Sequence, residues 1–135
     1  MTTLSTGPRK ARADGDRVTH ARRIFGDAGE HVAERALTEL GWRVLARNAR
    51  TRYGEIDLVC HDGRGYVFVE VKTRRAGSFV SALEAVGPQK VARLIRLAEA
   101  WLALHGERRA HWRLALAALT VDAIGTTARI IDISG

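Results

Sequence analysis

Two segments that alternate apolar and polar side chains, Tyr53–Cys60 and Tyr66–Thr73, flank the tetrapeptide Asp62-Gly63-Arg64-Gly65. Alternation with period two marks half-buried strands, and a short Asp/Gly-rich link between two such runs marks an antiparallel hairpin. The pattern sets Ile56, Leu58 and Cys60 on one face of the first strand, with Glu55 and Asp57 on the other. On the second strand it sets Val67, Val69 and Val71 opposite Phe68, Glu70 and Lys72. A four-residue loop puts His61 across from Tyr66, and the same register carries Asp57 across from Glu70. A slip of one residue would place Asp57 beside Val69 on the core side, where an unpaired carboxylate is costly, so the pattern selects the first register. Directly opposed side chains have Cβ atoms about 5 Å apart, and Lys72 follows Glu70 on the same face about 7 Å along the strand.

The rest of the chain supplies layers for this hairpin. Val32, Ala33, Ala36, Leu37 and Leu40 recur at helical spacing, which predicts a helix from about Asp27 to Leu40 that stops at Gly41. Trp42–Arg47 reads as a strand with Trp42, Val44 and Ala46 on one face. A second helix is expected over Pro88–His105, with Pro88 in its first turn, Gly106 at its end, and a stripe of Val91, Leu94, Ile95, Ala98, Trp101 and Leu102. Trp112–Val121 and Ala128–Ile133 complete the strands. Helix, three strands, helix, two strands is the order of an α/β layered domain: a mixed four- to five-stranded sheet flanked by helices, with a right-handed crossover through the second helix. With 135 residues the chain suits one domain, over residues 24–135, preceded by a flexible basic arm over residues 1–23.

Charge and cysteine content narrow the function classes. The first 23 residues hold six basic and two acidic side chains, and this arm therefore carries more than half of the formal net charge of +7. Such an arm attracts polyanions, nucleic acid first among them, although a merely solvated leader has the same composition. The single Cys60 excludes an internal disulfide and any multi-cysteine zinc site. No apolar run reaches the length of a membrane span, and no signal-peptide core opens the chain, so a cytoplasmic protein without membrane contact is expected.

Two carboxylates facing each other across a hairpin are destabilising unless a cation compensates. All-oxygen ligation suits magnesium or manganese rather than zinc, and such an ion can hold a phosphate oxygen and acidify water. Lys72 would orient that water or stabilise charge growing on phosphorus. The chain has 19 Arg and only three Lys, so a Lys here points to a need for a compact ammonium rather than a planar fork. Glu30, on the shoulder of the first helix's apolar stripe, is within reach of the same cation; taken alone it is an acid favoured by the helix dipole.

Asp57 followed after a hairpin by Glu70-Val71-Lys72 resembles the PD-(D/E)xK nuclease motif. More closely, the chain resembles the YraN-like family of small bacterial proteins, similar to archaeal Holliday junction resolvases. The stretches that carry the likeness are Gly26–Arg50, Tyr53–Val59, Val67–Arg74 and Ala82–Leu102. The resemblance implies a restriction-endonuclease-like fold, Glu30, Asp57, Glu70 and Lys72 as the site, and Mg2+ or Mn2+ as cofactor. It implies a DNA endonuclease, structure-selective on duplex or branched DNA; the alternative is a nucleic-acid-binding protein that keeps the fold without the chemistry. Cutting at two sites would call for a homodimer or a partner. The family usually has Arg-x-Asp at the start of the strand after the second helix, where this chain has Arg113-Leu114-Ala115.

Basic residues flank the carboxylates in sequence. Arg47, Arg50 and Arg52 precede the Asp57 strand, Arg74 and Arg75 follow Glu70, and Gln89 and Lys90 open the second helix. These are the candidate phosphate contacts, and a solvated loop or first turn is the competing reading of each. Glu55 reads as supporting rather than ligating. The five histidines show no ligand spacing, and Trp42, Trp101 and Trp112 fall on apolar faces, as core residues do.

Overall fold

The structure, a computed structural model, describes residues 3–6, 18–77 and 86–133, with side chains over 28–77 and 86–133. In chain order the elements are β1 (Thr3–Thr6), α1 (Val18–Glu39), β2 (Arg43–Thr51), β3 (Gly54–His61), β4 (Tyr66–Arg75), α2 (Pro88–Leu104), β5 (Trp112–Val121) and β6 (Thr126–Asp132). They form one mixed sheet of order β1-β6-β5-β4-β3-β2. β4 and β5 are parallel, joined through the segment that contains α2, and every other neighbouring pair is antiparallel. The expected mixed four- to five-stranded sheet is present as β2–β6, and β1 adds a sixth strand at one edge.

Parts of the segment expected to be an irregular arm are thus regular. Thr3–Thr6 pairs with Thr126–Arg129 of β6, and α1 starts at Val18 rather than near Asp27. The rest of that arm lies outside the described residues. Thr-rich β1 has no apolar alternation to announce it: an edge strand can be held by its backbone ladder alone.

The two helices cover opposite faces. Val32, Ala33, Ala36 and Leu37 of α1 pack on Leu58, Cys60, Val67, Val69, Ala115, Ala117 and Leu119. Leu94, Leu97, Ala98, Trp101 and Leu102 of α2 pack on Ile56, Val59, Phe68 and Leu114. Alanines on β5 leave room for α1 to lie close to the sheet. Leu40 and Ile95, both expected in apolar stripes, are exposed, and Leu97 takes the buried place. Leu40 lies just past the last helical turn, and Ile95 falls one residue off the buried stripe of α2. Trp101 is core on the α2 side with Trp112 half-buried against that cluster, and Trp42 is half-buried against the α1-side cluster.

The hairpin turn forms as read. Asp62 Oδ1 accepts the N–H groups of Arg64 and Gly65 at 2.8 and 3.0 Å, and Gly63 has φ 97°, the left-handed region glycine tolerates. Gly65 has a second reason to be glycine: a Cβ there would stand 2.4 Å from the His111 carbonyl oxygen. That close approach lets Tyr66 N–H donate to His111 O at 2.8 Å and opens the β4–β5 ladder. Among the described residues no helix is long and apolar enough to cross a membrane.

Candidate active site

β3 and β4 part company where the carboxylates lie. Their ladder follows the expected register, His61 with Tyr66 through Leu58 with Val69, and stops there. Asp57 does not pair with Glu70 through the backbone; its Oδ2 instead accepts the Val71 N–H at 2.7 Å. The cause is a matched irregularity on two strands. Ile56 and Val59, three residues apart, both pack on the α2 side, and so do Ala46 and Ala49 of β2. Two residues rather than one therefore separate successive α2-facing positions on each strand. Asn48, which the β2–β3 register sets across from Asp57, has φ 49°, a left-handed conformation Asn adopts more readily than most residues. This corrects two expectations from alternation: Ile56 does not share a face with Leu58 and Cys60, and, through a separate register shift between Val44 and Ala46 on β2, Ala46 does not share one with Trp42 and Val44.

On the α2 side the structure brings together Asp57, Glu70, Lys72 and Lys90. Burial first, and then the charge of Glu70, push the Asp57 carboxyl up to about 6, against the opposing pull of the Val71 N–H, Lys72 and Lys90. Among the described residues Glu70 is the one charged side chain in the core, 7% exposed. Lys90 Nζ stands 2.8 Å from Glu70 Oε1, and Lys72 Nζ stands 3.6 Å from the same oxygen.

The two lysines are driven apart electrostatically. Burial, and then the hydrogen bond and charge of Lys90, hold Lys72 below the usual lysine range. Burial alone would lower Lys90 as well, but its hydrogen bonds to Glu70 and Lys72 and the Glu70 charge outweigh it and hold it above that range. Lys90 is the resident ammonium; Lys72 is the readier of the two to give up a proton.

Glu30 comes from the first helix. It is half-buried on α1, whose packing residues meet the other sheet face, next to Gly29, where an added Cβ would meet Thr73 Oγ1 at 2.4 Å. Among the described residues no group of three His, Cys, Asp or Glu side chains could hold a metal ion, so Glu30 does not complete a three-carboxylate set with Asp57 and Glu70. Two carboxylates still fit a hard divalent cation: magnesium commonly takes one or two protein carboxylates and fills its shell with water and phosphate oxygens. The buried Glu70 carboxylate, which already draws two lysine ammoniums to one oxygen beside Asp57, supports such a fit, and burial together with the Glu70 charge raises the Asp57 carboxyl in the same direction.

The arginines divide. Arg47 is bound bidentately by Glu34 of α1, with Nε 2.8 Å from Oε2, and belongs to the α1 side rather than to the carboxylate cluster. Arg50 meets Glu55 at 3.4 Å. Arg52 lies over the Tyr53 ring, 4.9 Å from its centroid. Arg74 is half-buried and Arg75 exposed at the end of β4. Arg96 and Arg108, not among the residues singled out from sequence, join Arg52, Tyr53 and Trp112 in lining a groove of ≈ 470 Å³ along α2. Lys90, for which the sequence leaves the site, a phosphate and a solvated first turn open, is part of the centre itself. Its signal in the sequence was its type, one of three Lys beside 19 Arg. Ala115 is fully buried on the α1 side, paired with Val69 and Asp132, so the position where the family usually has Asp faces away from Glu70, Lys72 and Lys90. Cys60 is buried, and burial pushes its thiol up to about 12, which leaves it inert.

Fold and cluster together define a three-layer α/β protein with a semi-buried centre of two carboxylates and two lysines on one sheet face. The chain belongs to the uncharacterised protein family UPF0102, which matches residues 29–125. It is 53% identical over 106 residues to the UPF0102 protein of Kineococcus radiotolerans, covering 78% of this chain and 87% of that one. Against the UPF0102 protein of Mycolicibacterium vanbaalenii it is 47% identical over 106 residues, covering 78% and 82%. The solved structure of Pyrococcus furiosus SfsA in complex with Ca2+ is similar at a TM-score of 0.40 and 20% identity; the likeness covers 84% of this chain and 64% of that one.

Proposed function

We propose that this protein is a metal-dependent DNA endonuclease of the PD-(D/E)xK type with a restriction-endonuclease-like fold, hydrolysing phosphodiester bonds and selecting DNA by its branched structure. The observation that carries the reading is the gathering of Asp57, Glu70 and Lys72 into one local field, with Asp57 raised to about 6. A protein that only binds DNA has no use for paired carboxylates turned toward a polyanion. Asp57 and Glu70 would hold Mg2+ or Mn2+, which supplies Lewis acidity toward phosphate oxygens and acidifies water.

The chain's own groups do the rest. The Val71 N–H fixes the Asp57 carboxylate and so fixes where its other oxygen can reach. Lys72, below the usual lysine range, is suited to take or orient a proton of the attacking water, or to hold charge as it grows on phosphorus. Arg52, Arg96 and Arg108 along the α2 groove and Arg74 and Arg75 beyond Glu70 offer sequence-independent grip on phosphates. The cytoplasm, where DNA is the accessible polyanion, is the compartment this reading assigns.

Manganese calorimetry on the wild type and on Asp57→Asn tests it. Binding by the wild type that weakens strongly in the variant is the expected result. No binding by the wild type would favour DNA binding without catalysis, and unchanged affinity in the variant would move the cation away from Asp57.

A further inference from the structure

Lys90 sits where physical chemistry disfavours a lysine. It is in the first turn of α2, a helix with no acidic side chain in that turn and no side-chain cap, so the helix dipole and an ammonium oppose each other there. Its side chain is 22% exposed, which costs hydration. Both costs are offset at one atom, Glu70 Oε1, 2.8 Å away. Lys72, on the same strand as Glu70, already stands 3.6 Å from that oxygen. Glu70 therefore has two cations on one carboxylate oxygen, one of them delivered by a different element.

We propose that Lys90 is a built-in cation latch: in the metal-free protein its ammonium occupies the positive-charge position that the divalent cation takes on Glu70, and cation binding expels it toward the surface, where it is free to meet a phosphate. This rests on the metal-dependent reading above and adds to it a competition between two occupants of one carboxylate. Without the latch, Asp57 and Glu70 would stand as two like charges with Lys72 alone to balance them. With it, the fold is held together before metal arrives. The two lysines also divide the work: Lys72 is held by β4 beside Glu70 and stays, while Lys90 comes from α2 and can swing away on a long side chain without disturbing the sheet.

Competition has a sign that a merely structural or metal-supporting lysine does not share. Lys90→Met keeps the length of the stem and removes the charge. By calorimetry it should bind manganese about tenfold more tightly than the wild type, since no ammonium has to be displaced. In EDTA the same variant should melt about 5 °C below the wild type, and saturating manganese should close most of that gap. A second measurement needs no variant. With only three lysines in the chain, acetylation by a limiting amine reagent can be followed peptide by peptide; Lys90 should be slow in EDTA and several-fold faster with manganese, while Lys10 stays constant as the internal standard. Weaker manganese binding by Lys90→Met, or a Lys90 labelling rate unmoved by manganese, overturns the latch while leaving a wild-type cation site standing. Absence of manganese binding by the wild type overturns the latch and the reading it rests on together.

Discussion

The Val71 N–H donates to Asp57 Oδ2 across 2.7 Å, at the point where the β3–β4 ladder has ended. A side chain thus does what a strand carbonyl does elsewhere in the ladder, and the backbone donor is satisfied without closing the gap between the strands. The gap gives the carboxylates their room, and the single N–H only partly offsets the cost of burying Asp57 beside Glu70.

That cost has a pH signature. The Asp57 carboxyl rises from an ordinary value near 4 to about 6, so the folded state holds its proton more tightly than the unfolded state does. The linked stability is fully present below pH 4, falls as pH rises through about 6, and is flat above; a shift of about two units corresponds to about 3 kcal/mol. Asp57→Asn keeps an acceptor for the Val71 N–H and cannot ionise. In metal-free buffer it should be more stable than the wild type at pH 8 and should lose the decline between pH 4 and 6. Denaturant melts across that range check this, and parallel curves for the two proteins would show that Asp57 is not held as described.

Gly65→Ala should destabilise the protein by about 1–3 kcal/mol, the usual cost of overpacking, because the new Cβ meets the backbone oxygen of His111 rather than a side chain that can turn away. Thermal unfolding reads this directly. A change below a few tenths of a kcal/mol would mean that β4 and β5 do not approach as closely as the Tyr66–His111 hydrogen bond requires.

The N-terminal segment should add nonspecific DNA affinity through Arg9, Lys10, Arg12 and Arg17, part of its six basic side chains. Because β1 and the start of α1 lie within residues 1–23, the test is charge neutralisation to Gln rather than truncation. Each phosphate contact removed should lower the salt slope on duplex DNA by about 0.9. An identical slope for the quadruple variant would show that these side chains do not touch DNA.

Much of the fold was written in local patterns. Val67, Val69 and Val71 against Phe68 and Glu70 gave a strand whose two faces the structure keeps. Asp62 and Gly63 gave the turn, and the hairpin register followed from loop length. What alternation could not show was its own interruption. Asn48 in a left-handed conformation resets the faces of β2 and is matched at Asp57 on β3, and nothing in a period-two pattern marks such a step. The place of Glu30 on a helix shoulder does not say which sheet face its helix covers, which is a tertiary fact, and α1 packs on the face opposite α2. Lys90 is open between site, phosphate and solvent in the sequence for the same reason, since only the packing of α2 over β3 and β4 brings its first turn to Glu70.

The central claim is that Asp57, Glu70 and Lys72 cut phosphodiester bonds, and the most direct measurement is manganese-supported cleavage of a panel of branched, flapped and nicked DNAs. The wild type is expected to cut at least one of them. Lys72→Ala should keep the fold, because Val67, Val69 and Val71 hold β4 to the core, and should keep most DNA affinity, because arginines supply nearly all the cationic surface. It should nevertheless lose cleavage by several orders of magnitude, as expected when a transition-state interaction is removed rather than uniform binding. Lys72→Arg should fail as well, since a planar fork cannot take the place of a compact ammonium beside Glu70. Equal cutting by all three proteins, or no cutting of any substrate by the wild type, would contradict the account.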